Sequence, residues 1–161
     1  MHGSQTHTPE PWNASRGEQV IAPHVATEGG LLPALHDVQA VFGYIPDEAV
    51  RMLAHAFNLS RAEVHGVVTF YHDFRRAPAG RHVVKLCQAE ACQSLGSRGL
   101  TAHACAALGV PLGGTTADGR LTLEATYCLG LCATAPSAMI DGAVLGRVTP
   151  ARLDAALEAL A

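Results

Sequence analysis

Charge is what this sequence has least of. Only 16% of its 161 residues are Asp, Glu, Lys or Arg, against roughly 25% in an ordinary soluble domain. With 48% hydrophobic residues, the chain is too apolar for intrinsic disorder, and it is long enough to bury a core as one ordinary domain or two small ones. Long apolar runs are also lacking. A membrane-spanning helix needs about 18 consecutive apolar residues, but the uncharged stretch Gly99 to Ala117 carries Pro111 and four glycines, and Ala125 to Ile140 carries Gly130 and Pro136. No direct membrane insertion is expected. Nor is there the basic excess that nucleic acid would require: the formal net charge is −3, so no nucleic-acid partner is expected. Met1 to Ala14 is polar and rich in His and Pro, without the basic-then-apolar pattern of a secretory signal, and a cytoplasmic setting is the expectation.

In a reducing compartment five cysteines, an odd number, argue against a disulfide framework and for metal or redox chemistry. Their location sharpens the point. Residues 1 to 80 hold five Lys/Arg against eight Asp/Glu, residues 81 to 161 hold six against six, and all five cysteines lie in the balanced half.

The periodicity of the first half is helical. Leu31, Leu35, Val38 and Phe42 form one stripe that stops at Gly43, and a second helix fits Asp47 to Phe57. Ser60 and Glu63 form a capping box for a third helix, with Val64, Val67, Val68 and Tyr71 on its apolar side. A weaker helix fits Gly17 to Thr27. Arg75 to Gly80 reads as a linker. Beyond it, His82 to Leu86 is strand-like, Ser94 to Leu108 helical, and Leu121 to Tyr127 strand-like. Ser137 to Ile140 and Ala143 to Val148 flank Asp141-Gly142, which favours a type I′ turn. Thr149 caps and Pro150 opens a last helix. The expected fold class is α+β: a polar, disordered leader over 1–16, an N-terminal helical bundle over 17–78, and a thioredoxin-like α/β domain over 79–161. Folds of that kind often place a cis proline before a strand, so a cis Ala135-Pro136 bond is expected.

Four cysteines form two pairs, Cys87-x4-Cys92 after the first strand and Cys128-x3-Cys132 after the second, with 35 residues between them. If those strands are parallel neighbours, both pairs lie at one end of the sheet and four thiolates can converge. Structural zinc accepts pairs two to four residues apart, whereas a [2Fe-2S] cluster is larger and suits wider loops. Spacing alone leaves open iron–sulfur, zinc in an interaction module, and a thiol-redox or merely buried set. A thiol oxidoreductase is disfavoured because Cys-x-x-Cys is missing. Gly130, between two candidate ligands, would let the backbone wrap closely. Cys105 reads as a small buried hydrophobe. The nine histidines share no metal-ligand spacing: His2 and His7 fall in the leader, while His65 and His72, beside Phe70 and Tyr71, read as a helix face or subunit contact. Those aromatics are expected in the core, with partner binding second.

The runs Cys87-Gln88-Ala89-Glu90-Ala91-Cys92, Cys128-Leu129-Gly130-Leu131-Cys132 with Ala135-Pro136, and Val64 to Tyr71 resemble the thioredoxin-like [2Fe-2S] ferredoxins. These are small iron–sulfur subunits that accompany the NADH- and FMN-binding subunit in respiratory NADH:quinone oxidoreductase, NAD-reducing hydrogenases and soluble NAD-dependent formate dehydrogenases. The resemblance covers residues 17 to 161, and the filling between Cys87 and Cys92 looks most like the gamma subunit of the formate dehydrogenase. It implies one [2Fe-2S] cluster ligated by Cys87, Cys92, Cys128 and Cys132, and no catalysis by this chain alone. FMN can exchange hydride with NAD and single electrons with iron–sulfur centres. No Gly-rich phosphate fingerprint follows a strand, so FMN and NAD are expected on a flavoprotein partner. A larger iron–sulfur or molybdenum/tungsten subunit is the other implied partner.

Overall fold

Local signals start most of the helices in the computed structural model, which describes residues 9–160. Asn13 accepts from the Arg16 amide and caps α1 (Ala14–Ile21). This helix overlaps the end of the expected disordered leader. Sequence periodicity places the helix at Gly17 to Thr27, but Trp12 already packs edge-on against Phe42, with ring centroids 4.7 Å apart, and also donates to Glu48. Pro23 then turns the chain into a short 3-10 turn, Ala22–His24, since proline cannot supply the amide an α-helix needs there. His2 and His7 lie outside the described residues.

Three further helices follow: α2 (Leu31–Phe42), ended by left-handed Gly43, α3 (Asp47–Ala56), and α4 (Arg61–Phe70). Both hydrogen bonds of the Ser60/Glu63 capping box are present. The stripes meet in a core of Leu35, Val38, Phe42, Leu53, Val64 and Val68. Tyr71 and Phe70 depart from expectation. Phe70 is 73% exposed and Tyr71 42%: Phe70 lies about 240° round the helix from buried Val64, and at Tyr71 the backbone turns extended.

The described residues divide into two units between Pro78 and Ala79. In the second, β1 (His82–Cys87) runs parallel to β2 (Leu121–Thr126), with Cys87 opposite Thr126. On its other side β1 pairs antiparallel with β3 (Ala138–Ile140), which turns through Asp141-Gly142 into β4 (Ala143–Leu145). The sheet order is β2-β1-β3-β4. Both turn residues have positive φ, 47° and 87°, as a type I′ hairpin requires. The expected Ser94 to Leu108 helix is two helices, α5 (Glu90–Ser94) and α6 (Ser97–Leu108). Gly96 separates them at φ 93°, a left-handed conformation that no α-helix continues through. Thr149 caps α7 (Pro150–Glu158). Val84, Leu86, Leu121, Leu123, Ile140 and Leu153 fill the core of this unit. The fold is α+β.

Candidate functional site

The parallel pairing of β1 and β2 fixes where the thiols can go. Cys87 is the last residue of β1, and Cys128 follows β2 by two residues, so both lie at the C-terminal end of the two strands. Cys92 sits in the first turn of α5. Cys132 opens a 3-10 turn, Cys132–Thr134, that leads to the cis Ala135-Pro136 bond and into β3.

The four thiols stand as two pairs. Cys87 and Cys92 are each 2% exposed and form a small apolar cluster with Ala135, onto which Ala89, Ala91 and Leu129 pack. Cys128 and Cys132 are exposed, with sulfurs 3.7 Å apart. Burial pushes the Cys87 thiol up, but donors outweigh it: the Ala89 amide, the Cys92 thiol, the Cys128 amide and the Ser137 hydroxyl hold it below the usual thiol range. Cys132 moves the other way. Its hydrogen bond to Cys128, then the charge of Cys128, burial, and the charges of Cys92 and Cys87 push its thiol up. Cys128 itself stands at φ 90°, a conformation costing a non-glycine residue about 1–3 kcal/mol. The surrounding loop must hold it there.

Gly130 donates its amide to Cys128 Sγ at 3.4 Å. A Cβ at this position would meet no described protein atom within 4 Å. Its φ of 76° is the constraint: it turns the amide towards the sulfur. Two glutamines brace the first loop, Gln93 donating to the Gln88 carbonyl at 2.6 Å and Gln88 to Thr101 Oγ1 at 2.9 Å. Ser137, which none of the sequence motifs marks, places its Oγ 3.5 Å from Cys92 Sγ. A hydroxyl directly after a proline in a cysteine-bearing loop is the one signal that could have found it.

The donor set fits a two-centre cluster. Two pairs of sulfurs, amides aimed at sulfur, and apolar cover on one side are what thiolates sharing a dinuclear iron core require. Among the described residues, no group of three or more His, Cys, Asp or Glu side chains is gathered as a single metal ion would need. Cys105 stays apart in α6, half-buried against the core. Four of the histidines engage protein partners: His24 with Asp37 at 2.8 Å, His82 with Asp141 and His103 with Asp154 at 2.7 Å each, and His65 with Arg76 at 3.2 Å.

Comparison with known proteins gives the same picture. The family model described as thioredoxin-like [2Fe-2S] ferredoxin matches residues 17–161. The E subunit of the NADH-quinone oxidoreductase of Escherichia coli (strain K12) is 34% identical over 163 residues, covering 98% of both chains. The HndA subunit of the NADP-reducing hydrogenase of Solidesulfovibrio fructosivorans is 36% identical over 126 residues, covering 78% of this chain and 74% of that one. Among solved structures, an NAD+-reducing [NiFe]-hydrogenase in the H2-reduced state superimposes with a TM-score of 0.68 at 34% identity over 81% of this chain. The match takes in 22% of that hydrogenase chain. Among the described residues no helix is long and apolar enough to cross a membrane.

Proposed function

The chain belongs to the thioredoxin-like [2Fe-2S] ferredoxin family, and we propose on that basis that Cys87, Cys92, Cys128 and Cys132 are the thiolate ligands of its one [2Fe-2S] cluster. The observation that carries the assignment is the position of both cysteine pairs at one end of the β1/β2 pair, with the Gly130 amide donating to the Cys128 sulfur. When bound, the cluster supplies exchange of one electron at a time. The protein holds the sulfurs, keeps water from the Cys87/Cys92 side, and offers backbone N–H groups to sulfurs that carry negative charge.

The chain is an electron-transfer subunit of an NADH-dehydrogenase-type complex, with FMN and NAD held by a partner subunit. We assign the parent complex to a cytoplasmic NAD-dependent formate dehydrogenase whose larger catalytic subunit holds molybdenum or tungsten. Support comes from the Gln88-Ala89-Glu90-Ala91 filling between the first two ligands, which resembles the gamma subunit of that enzyme. A second reading has its own support: the relatives named above are subunits of an NADH-quinone oxidoreductase and an NADP-reducing hydrogenase. Purification of the native chain with its partners decides between them. A formate-oxidising subunit in the complex bears out the first assignment; hydrogenase or membrane subunits overturn it.

A further inference from the structure

Ser137 is the polar side chain at the site that the ligand set leaves over. It is 2% exposed, and its Oγ lies 3.5 Å from Cys92 Sγ. Its position is set by backbone on both sides. The Ser137 carbonyl accepts the Cys87 amide at 3.0 Å, the preceding Pro136 carbonyl accepts the Val148 amide at 2.9 Å, and the next residue, Ala138, pairs with Leu86 across the sheet.

A hydroxyl in so dry a place is costly unless it is paired. Ala135 and Ala138, close to it in sequence, are apolar and buried, so packing alone does not call for an oxygen here. Between a thiol and a hydroxyl either group can donate. A metal-bound cysteine has lost its proton, which fixes the direction: the Ser137 hydroxyl donates and sulfur accepts. Such a bond is charge-assisted, and it strengthens when one more electron adds negative charge to the core and its sulfurs. The exposed sulfurs of Cys128 and Cys132 can draw donors from water. Those of Cys87 and Cys92 cannot, and burial by itself opposes the added charge.

Resting on the assignment of the four cysteines as ligands, we propose that Ser137 is a positioning residue that sets the reduction potential: its hydroxyl donates to the buried Cys92 thiolate and holds the potential up.

The test uses the full chain carrying its cluster, as wild type and as Ser137→Ala, Ser137→Thr and Ser137→Val, with one-electron reduction titrated and followed by EPR. Thr and Val fill nearly the same volume and differ in the hydroxyl. In Ser137→Ala and Ser137→Val the reduction equilibrium is expected to move about tenfold towards the oxidised form, equivalent to a fall of about 59 mV for one electron. Ser137→Thr stays with the wild type. Cluster loss confined to the two hydroxyl-free variants also counts for the hydrogen bond. Potentials that sort by side-chain size, potentials that do not differ, or loss of the cluster from all three variants overturn the proposal. A wild-type chain with no visible chromophore and no reduced-state EPR signal overturns the ligand assignment itself, so the two failures are distinct.

Discussion

Cys87 and Cys92 are buried at the end of a central strand and in the first turn of a helix, while Cys128 and Cys132 lie exposed on the loop between β2 and β3. The same side chain thus meets two environments at one end of the sheet. The inner pair is held by elements that the hydrophobic core fixes, is covered by Ala135 and Leu129, and receives fixed donors from backbone and Ser137. The outer pair depends on loop conformation: a left-handed Cys128, a left-handed Gly130 and a 3-10 turn. The two pairs divide the labour. The inner pair supplies rigidity and a dry, preorganised field, and the outer pair supplies adaptability and contact with solvent.

Ligand replacement should separate the two pairs most visibly. Cys87→Ser or Cys92→Ser is expected to abolish the visible chromophore, because a buried strand end cannot move to let a shorter oxygen reach iron. Cys128→Ser or Cys132→Ser is expected to leave a measurable fraction of cluster with altered absorption, since an exposed loop can shift. Iron and acid-labile sulfide contents measure this, and equal loss at all four positions would erase the distinction.

Next in size is the support beneath each pair. Leu86, 1% exposed and adjacent to Cys87, should cost about 2–5 kcal/mol when changed to Ala. Leu129, half-buried on the outer loop, should cost about 1 kcal/mol. Urea unfolding of the cluster-free chain reads both, and comparable losses would mean that the outer loop is as fixed as the strand.

A pH titration of the cluster-free thiols bears on the outer pair alone. Cys132 is held above the ordinary thiol range by its hydrogen bond to Cys128 and then by the charge there. Alkylation at Cys132 should therefore rise only as pH passes above that range, despite its exposure. Cys128→Ala removes both that hydrogen bond and that charge and should bring the rise to lower pH, as quantified by peptide mass spectrometry. An unchanged profile would mean that the outer sulfurs do not couple.

The smallest effect is a control in the helical unit. Ser60→Ala should cost about 1 kcal/mol and leave the cluster's absorption unchanged. The Ser60 amide and hydroxyl hold Glu63 below its ordinary value of 4.5. The carboxylate half of the box is thus present above about that pH, and it is lost as pH falls through the depressed folded-state value. Thermal melts of wild type and Ser60→Ala should differ at neutral pH, and the difference should narrow without vanishing in acid, because the Glu63 amide still donates to Ser60 Oγ there.

Most of the scaffold is legible in the sequence because its signals are local. The Ser60/Glu63 box, Thr149 with Pro150, and Asp141-Gly142 each fix a boundary through hydrogen bonds within four residues, and both cysteine pairs follow strands whose parallel pairing brings them together. Features set by distant contacts are not legible. Trp12 anchors the start of α1 through Phe42, thirty residues away in sequence. Gly96 reads as a weak helical residue, yet it breaks the helix, because a glycine is tolerated in either state and only the fold selects one. Tyr71 continues the Val64 and Val68 stripe in sequence, and nothing local marks that the backbone turns extended there. Ser137 needs the register of β3 against β1 before its hydroxyl has an address.

Whether four thiolates here hold a dinuclear iron centre is decided by metal and acid-labile sulfide analysis of the anaerobically purified full chain, paired with EPR after one-electron reduction. Iron and sulfide are expected in the amounts of one [2Fe-2S] cluster per chain, with a coloured oxidised protein and a reduced-state signal that Cys87→Ser removes. A colourless chain containing one zinc and no labile sulfide would contradict that assignment.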